Sequence, residues 1–277
     1  MRTTILRAIS TSEKVHVRIR KAFSYKKVAF LHIPKCGGTS IASSIAAAIG
    51  ADRSGYIDPI RTRGLAQMCL EDCRRPEGSE HLFAIRRALF FDYFKEGKPY
   101  IYGHFPIVRE CLVNSEGYEF VTLLREPTQR FVSQFKYYLA TKALPNEKFI
   151  TQERIEDLWQ EYFCSDVANF HANVLTAYLD ESSFLRLGHS DSAARAIENL
   201  KSFSVVGTLE NLDLFTQKFR ATVNAPLVIR SVKNKTSDKV AKSQNILLDR
   251  LFTPDKMEDI YNICYRDINV YNFAQSC

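Results

Sequence analysis

The chain has 277 residues, 45% hydrophobic and 25% charged, a balance that excludes a disordered chain and provides for a buried core. Its net charge of +7 favours anionic partners such as nucleotides, sulfated or carboxylated glycans, nucleic acid or acidic membranes, without choosing among them. The seven cysteines follow no framework, which excludes a disulfide scaffold, and no apolar run reaches the roughly 20 residues of a membrane-spanning helix.

Residues 1–27 read as a basic arm, in which Glu13 is the one acid. Residues 28–277 are expected to form a single domain. Its first strand is 28–33, Val-Ala-Phe-Leu-His-Ile, followed by a small-residue helix over 38–49. A helical insertion spans about 51–98 and contains a helix near 79–96. The second strand is 100–103. The third, 119–124, precedes a helix that Pro127 opens at its first turn. A second helical insertion covers about 147–200. There Trp159, Tyr162 and Phe163 read as core, with sugar stacking as the alternative for Trp159. The fourth strand, 203–206, leads into a helix over 209–221. A short strand at 227–229 and a last helix over about 254–273 complete the chain. Apolar runs alternating with helices predict an α/β fold, a P-loop-like central parallel sheet flanked by helices. Cys69 and Cys73 resemble half of a metal site, but no second pair completes it, and no metal is expected. Free thiols point to a reducing, cytoplasmic location; a Golgi lumen is the alternative if the chain is trimmed.

Three stretches carry chemistry. The first is His32-Ile33-Pro34-Lys35-Cys36-Gly37-Gly38-Thr39-Ser40, a strand end, a glycine turn and a helix start. Such a turn can hold an anion on backbone N–H groups and on the hydroxyls of Thr39 and Ser40. It is not a mononucleotide loop of the G-x-x-x-x-G-K-[ST] type, because Lys35 precedes the glycines. A plain turn with a hydroxyl cap is the alternative. The second stretch runs from Phe120 through Arg125 and Pro127 to Ser133: a strand, a guanidinium, then a helix whose N-terminus adds a favourable dipole. Arg130 within it is expected to be exposed or paired with an acid. The third, Tyr102-Gly103-His104-Phe105-Pro106, puts a histidine at a strand's carboxyl end, where open α/β sheets keep their ligands. The alternative is a histidine satisfied by a backbone carbonyl. His32 reads as a strand-end histidine with local bonds.

These stretches together resemble sulfotransferases that use 3′-phosphoadenosine 5′-phosphosulfate (PAPS), most closely the carbohydrate branch that includes heparan sulfate 2-O- and 6-O-sulfotransferases. The resemblance implies that Lys35, Cys36, Gly37, Gly38, Thr39 and Ser40 hold the 5′-phosphosulfate, with Cys36 in a variable position and given no chemistry. It implies that Arg125 and Ser133 hold the 3′-phosphate, and that Lys35 stabilises the departing phosphate oxygen. His104 would deprotonate an acceptor hydroxyl, expected on a glycan. Phe203 to Glu210 resembles a structural segment near the nucleotide, and Lys235 and Thr236 fall where relatives place a loop that closes over it. The implied cofactor is PAPS without a metal; neither nucleic acid nor an integral membrane segment is expected. Two other readings stand beside this one: an atypical P-loop kinase or nucleotide hydrolase, and a non-catalytic nucleotide-binding module.

Overall fold

The structure is a computed structural model that describes residues 25–50, 54–68, 80–114, 116–143, 150–181, 191–229 and 242–276. Strand β1 (Lys27–Leu31) is buried along Val28, Ala29, Phe30 and Leu31, so it has no polar face. Such a run belongs at the centre of a parallel sheet covered on both sides. That is where it lies: β1 pairs in parallel with β3 (Tyr100–Gly103) on one side and β4 (Tyr118–Leu124) on the other. Strand β2 (Gly55–Ile57) adds to β3 and β5 (Val205–Thr208) to β4, giving the order β2-β3-β1-β4-β5.

Alternation along β1 divides the core. Val28 and Phe30 pack under α1 (Gly38–Ile49) and α10 (Leu212–Val223), with Ile41, Ile45, Phe215 and Phe219. Ala29 and Leu31 face the opposite layer. That layer holds α3 (Glu80–Lys95), α8 (Val174–Leu179), α9 (Ser192–Leu200) and α13 (Tyr265–Ser276). Helix α2 (Pro59–Met68) packs against α3, and α4 (Arg109–Val113) buries Cys111 in the same layer.

A separate apolar cluster joins α5 (Pro127–Tyr138), α6 (Gln152–Phe163), α7 (Asp166–Ala172), α11 (Lys242–Leu251) and α12 (Pro254–Ile263). Trp159 belongs to it. The indole is 2% exposed and stands edge-on to Phe135 at 5.0 Å, which leaves no face for a sugar and settles it as core.

Several expected elements differ in the structure, beginning with the first strand, which runs over Lys27–Leu31 and not over 28–33. The fourth strand begins at Val205, not at 203, and continues through Gly207, because the Phe215 ring occupies the space a Cβ would need there. Residues 227–229 form no strand: the Leu227 carbonyl is taken by Arg220 Nε at 2.9 Å and Nη2 at 2.6 Å. The last helix is two, α12 and α13, parted at Cys264. Strand β2 lay unpredicted inside the first insertion. The arm as far as residue 24, Cys69, Cys73, Lys235 and Thr236 lie outside the described residues.

Candidate active site

The three stretches singled out above follow three adjacent strands. The glycine turn leaves β1, His104 leaves β3 and Arg125 leaves β4, all at carboxyl ends. Chain order reverses on either side of β1, the switch point where open sheets form a ligand crevice.

Gly37 caps α1 with φ 75°, a left-handed conformation, and no side chain caps the helix. The first turn of α1 carries no acid, so no carboxylate there opposes an anion at the positive end of the helix dipole. The hydroxyl-cap alternative is therefore overturned. Gly38 is required for space: a Cβ there would lie 2.0 Å from the His32 ring. Thr39 is exposed and Ser40 is buried at the same helix end. Cys36 is fully buried, and burial pushes its thiol up to about 12, against the pull of Arg130 and Arg125. It stays neutral and structural.

Lys35 stands at the loop entry with φ 68°. Its carbonyl accepts Arg125 Nη1 at 3.4 Å, which ties the end of β4 to the loop after β1. Arg125 is partly buried and, among the described residues, forms no ion pair. Burial lowers its pKa, offset by Cys36 and Glu210. The helix that follows does not offer the expected dipole to a ligand. Glu126 caps α5 itself, its carboxylate accepting from the N–H groups of Thr128 at 3.0 Å and Gln129 at 2.7 Å. Glu126 N–H in turn donates to Glu210 at 3.1 Å, which Tyr271 also reaches at 2.9 Å. Ser133 is buried on α5.

Arg130 is not exposed, and among the described residues it forms no ion pair. It is fully buried, donates Nη2 to the His171 carbonyl, and leaves Nε and Nη1 without a partner. Its charge reaches Cys36, Cys264 and Asp267. Asp267 is fully buried on α13 and receives the N–H groups of Leu175 and Thr176 at 2.8 Å each, capping α8 across the chain. Burial raises its pKa to about 6.

His104 Nδ1 bonds the His32 carbonyl, so the alternative reading, a strand-end histidine satisfied by a backbone carbonyl, is met at this nitrogen. A carbonyl only accepts, so Nδ1 carries the proton and Nε2 keeps the lone pair. The two imidazoles lie 4.4 Å apart between ring centroids. Burial, then His32, Arg86 and Arg63, hold His104 well below the usual histidine range, so it is neutral. Burial likewise holds His32 at about 4. Arg86 is 3% exposed, donates to Thr62 at 3.1 Å and to the Tyr178 hydroxyl at 2.7 Å, and forms no ion pair among the described residues. Tyr178 stands edge-on to His104 at 6.3 Å.

Thus Lys35, Cys36, Gly37, Gly38, Thr39, Ser40 and Arg125 gather at one sheet edge with His104 beside them. Sequence reasoning missed His32 as the partner of His104, Glu126 as a cap, and Arg63, Arg86 and Tyr178 around the histidine. Only Glu126 carried a signal, an acid directly before a helix-opening proline.

No family model matches the chain. No curated protein matches it. Among solved structures it is similar to a retinol dehydratase in complex with androsterone and inactive cofactor PAP. The identity is 14%, over 84% of this chain and 80% of that chain, with a TM-score of 0.28, a likeness too loose to assign any residue.

Proposed function

We propose that the chain is a sulfotransferase that moves a sulfuryl group from PAPS to a hydroxyl acceptor, on a carbohydrate, with His104 as base. One observation carries the reading. Two phosphate-binding stretches far apart in sequence meet at the 3.4 Å contact between Arg125 and the Lys35 carbonyl, with a neutral histidine on the neighbouring strand. The residues present fit the donor: a helix start with no side-chain cap and no acid, an ammonium, and a guanidinium that forms no ion pair among the described residues.

PAPS supplies the sulfuryl group. The α1 N-terminus, with Thr39 and Ser40, binds the 5′ end, while Arg125 and Ser133 bind the 3′-phosphate; Lys235 and Thr236 would close from the neighbouring loop. Lys35 stabilises the charge that gathers on the departing phosphate oxygen. His104 Nε2 takes the proton of the acceptor hydroxyl, and the His32 carbonyl keeps the ring in the correct tautomer. A strongly depressed histidine is a weak base. An anionic donor entering beside it offsets the field of Arg86 and Arg63 and raises it toward neutrality. The unpaired thiols of Cys36, Cys111, Cys164 and Cys264 agree with a reducing, cytoplasmic setting.

Calorimetry with adenosine 3′,5′-bisphosphate (PAP), against ATP with Mg²⁺, tests the reading. PAP binding that ATP does not match is expected. Preference for ATP would favour the kinase, and binding of neither would remove the nucleotide site.

A further inference from the structure

The ammonium of Lys35 lies over the ring of Tyr137, with Nζ 4.7 Å from the ring centroid. Two features of the chain aim it there. Lys35 adopts φ 68°, a left-handed conformation that a residue with a Cβ takes only at a cost. The bond from Arg125 to its carbonyl fixes the peptide on the other side. On α5, Arg130, Ser133 and Tyr137 share one face at i, i+3 and i+7 spacing. That face turns to the glycine loop, since the field of Arg130 reaches Cys36 as Tyr137 reaches Lys35.

We propose that Tyr137 is a positioning residue for Lys35, its ring forming a wall that holds the ammonium at the loop mouth with its N–H groups turned to a bound anion. This rests on the reading of Lys35 as the group that stabilises the departing phosphate oxygen. The negative face of the ring attracts the cation from one side and takes none of its N–H donors. A free lysine side chain samples many rotamers, and fixing it before the donor arrives is preorganisation. The tyrosine is not needed for the core: it is 38% exposed and stands outside the apolar cluster that holds its neighbour Tyr138.

The test compares Tyr137→Phe, which keeps the ring, with Tyr137→Leu, which does not. Lysines are labelled by reductive ¹³C-methylation, which preserves their charge, and the Lys35 signal is assigned from its absence in Lys35→Arg. Upfield ring-shifted methyl signals are expected in the native chain and the Phe variant, and an unshifted signal in the Leu variant. PAPS turnover with water as acceptor, followed by PAP release, should fall about 5-fold in the Leu variant. It should hold in the Phe variant. PAP carries the departing phosphate that Lys35 faces, so its affinity should fall in the Leu variant and hold in the Phe variant. The proposal is overturned by an unshifted Lys35 in the native chain. It is equally overturned by a Leu variant with equal or faster turnover, or by a Phe variant that falls as far. If the native chain binds no PAP, the parent reading fails and takes this one with it; the ring shift then still reports the contact, so the two failures are told apart.

Discussion

In the proposed reaction His104 acts through one lone pair, and the bond from its Nδ1 to the His32 carbonyl is what directs that lone pair to Nε2. Replacing it with alanine removes the base and leaves the phosphate contacts in place. His104→Ala is expected to lower transfer by about 10²–10⁴-fold. Its PAP dissociation constant, read by calorimetry, should stay within about twofold of the native value, because none of the assigned phosphate groups is touched. Full activity in that variant would remove His104 from the mechanism. Arg125→Ala should do the reverse and weaken PAP binding by at least about tenfold, the loss of one charge-assisted contact. An unchanged constant would free Arg125 from the phosphate. The places of both residues were legible in the sequence because each follows an apolar strand, where a polar side chain has no packing reason to be. Arg86 and Tyr178 were not. They lie far apart along the chain, and only the packing of α3 against α8 brings the guanidinium to the phenol at 2.7 Å.

At the scale of elements, the turn between β1 and α1 is held by contact between its own glycine and its own histidine. A Cβ at Gly38 would drive into the His32 ring. Gly38→Ala is therefore expected to displace His32, loosen the carbonyl that orients His104, and cost about 1–3 kcal/mol of stability as an overpacked site. Urea unfolding reads the cost, and calorimetry should show PAP binding lost with it; a variant with native stability and affinity would contradict the packing. Helix α1 and strand β3 were legible to the residue, since a small-residue run between two glycines and an apolar run after Pro99 are strong local signals. Strand β5 was misplaced because Gly207 reads locally as a breaker, while the Phe215 ring, from the helix that follows, makes it fit. The break at Cys264 carries no glycine or proline. Its product is tertiary: it starts α13 where Asp267 can cap α8.

Across the whole molecule, pH acts through histidines held neutral by burial. His171 is pushed down to about 3, by burial first and then by Arg130 and Arg63, and His32 to about 4, with His104 also well below 6.5. An unfolded chain binds these protons more readily than the native one between about 4 and 6.5, so stability rises with pH across that window. Asp267 opposes them. Its native pKa of about 6 lies above the unfolded value, so the native state keeps a proton the unfolded state has lost, and stability falls with rising pH until about 6. Three groups outweigh one, each limited to about 1.4 kcal/mol per pH unit. The urea midpoint is expected to drop as pH is lowered from 7 to 5. Asp267→Asn should steepen that dependence even while it lowers stability outright. A flat profile would mean that the buried histidines keep ordinary pKa values.

The two apolar clusters meet through α5 and α13. Helix α5 sends Phe131 and Phe135 into the cluster around Trp159, while its Arg130 acts on Cys36 in the glycine loop. Helix α13 contributes Ile268 to that cluster and Val270 to the sheet core. Shared helices make separate unfolding of the two costly, so they are expected to melt together. Trp159 is the single tryptophan, and its fluorescence reports the buried cluster it belongs to. PAP at a hundred times its dissociation constant stabilises the native state by about 2.7 kcal/mol. In a chain of this size that corresponds to roughly 5–10 °C. The Trp159 melt should therefore move by that amount although the indole is buried. A Trp159 transition that stayed put while circular dichroism of the remaining fold moved would divide the chain into two independently melting units.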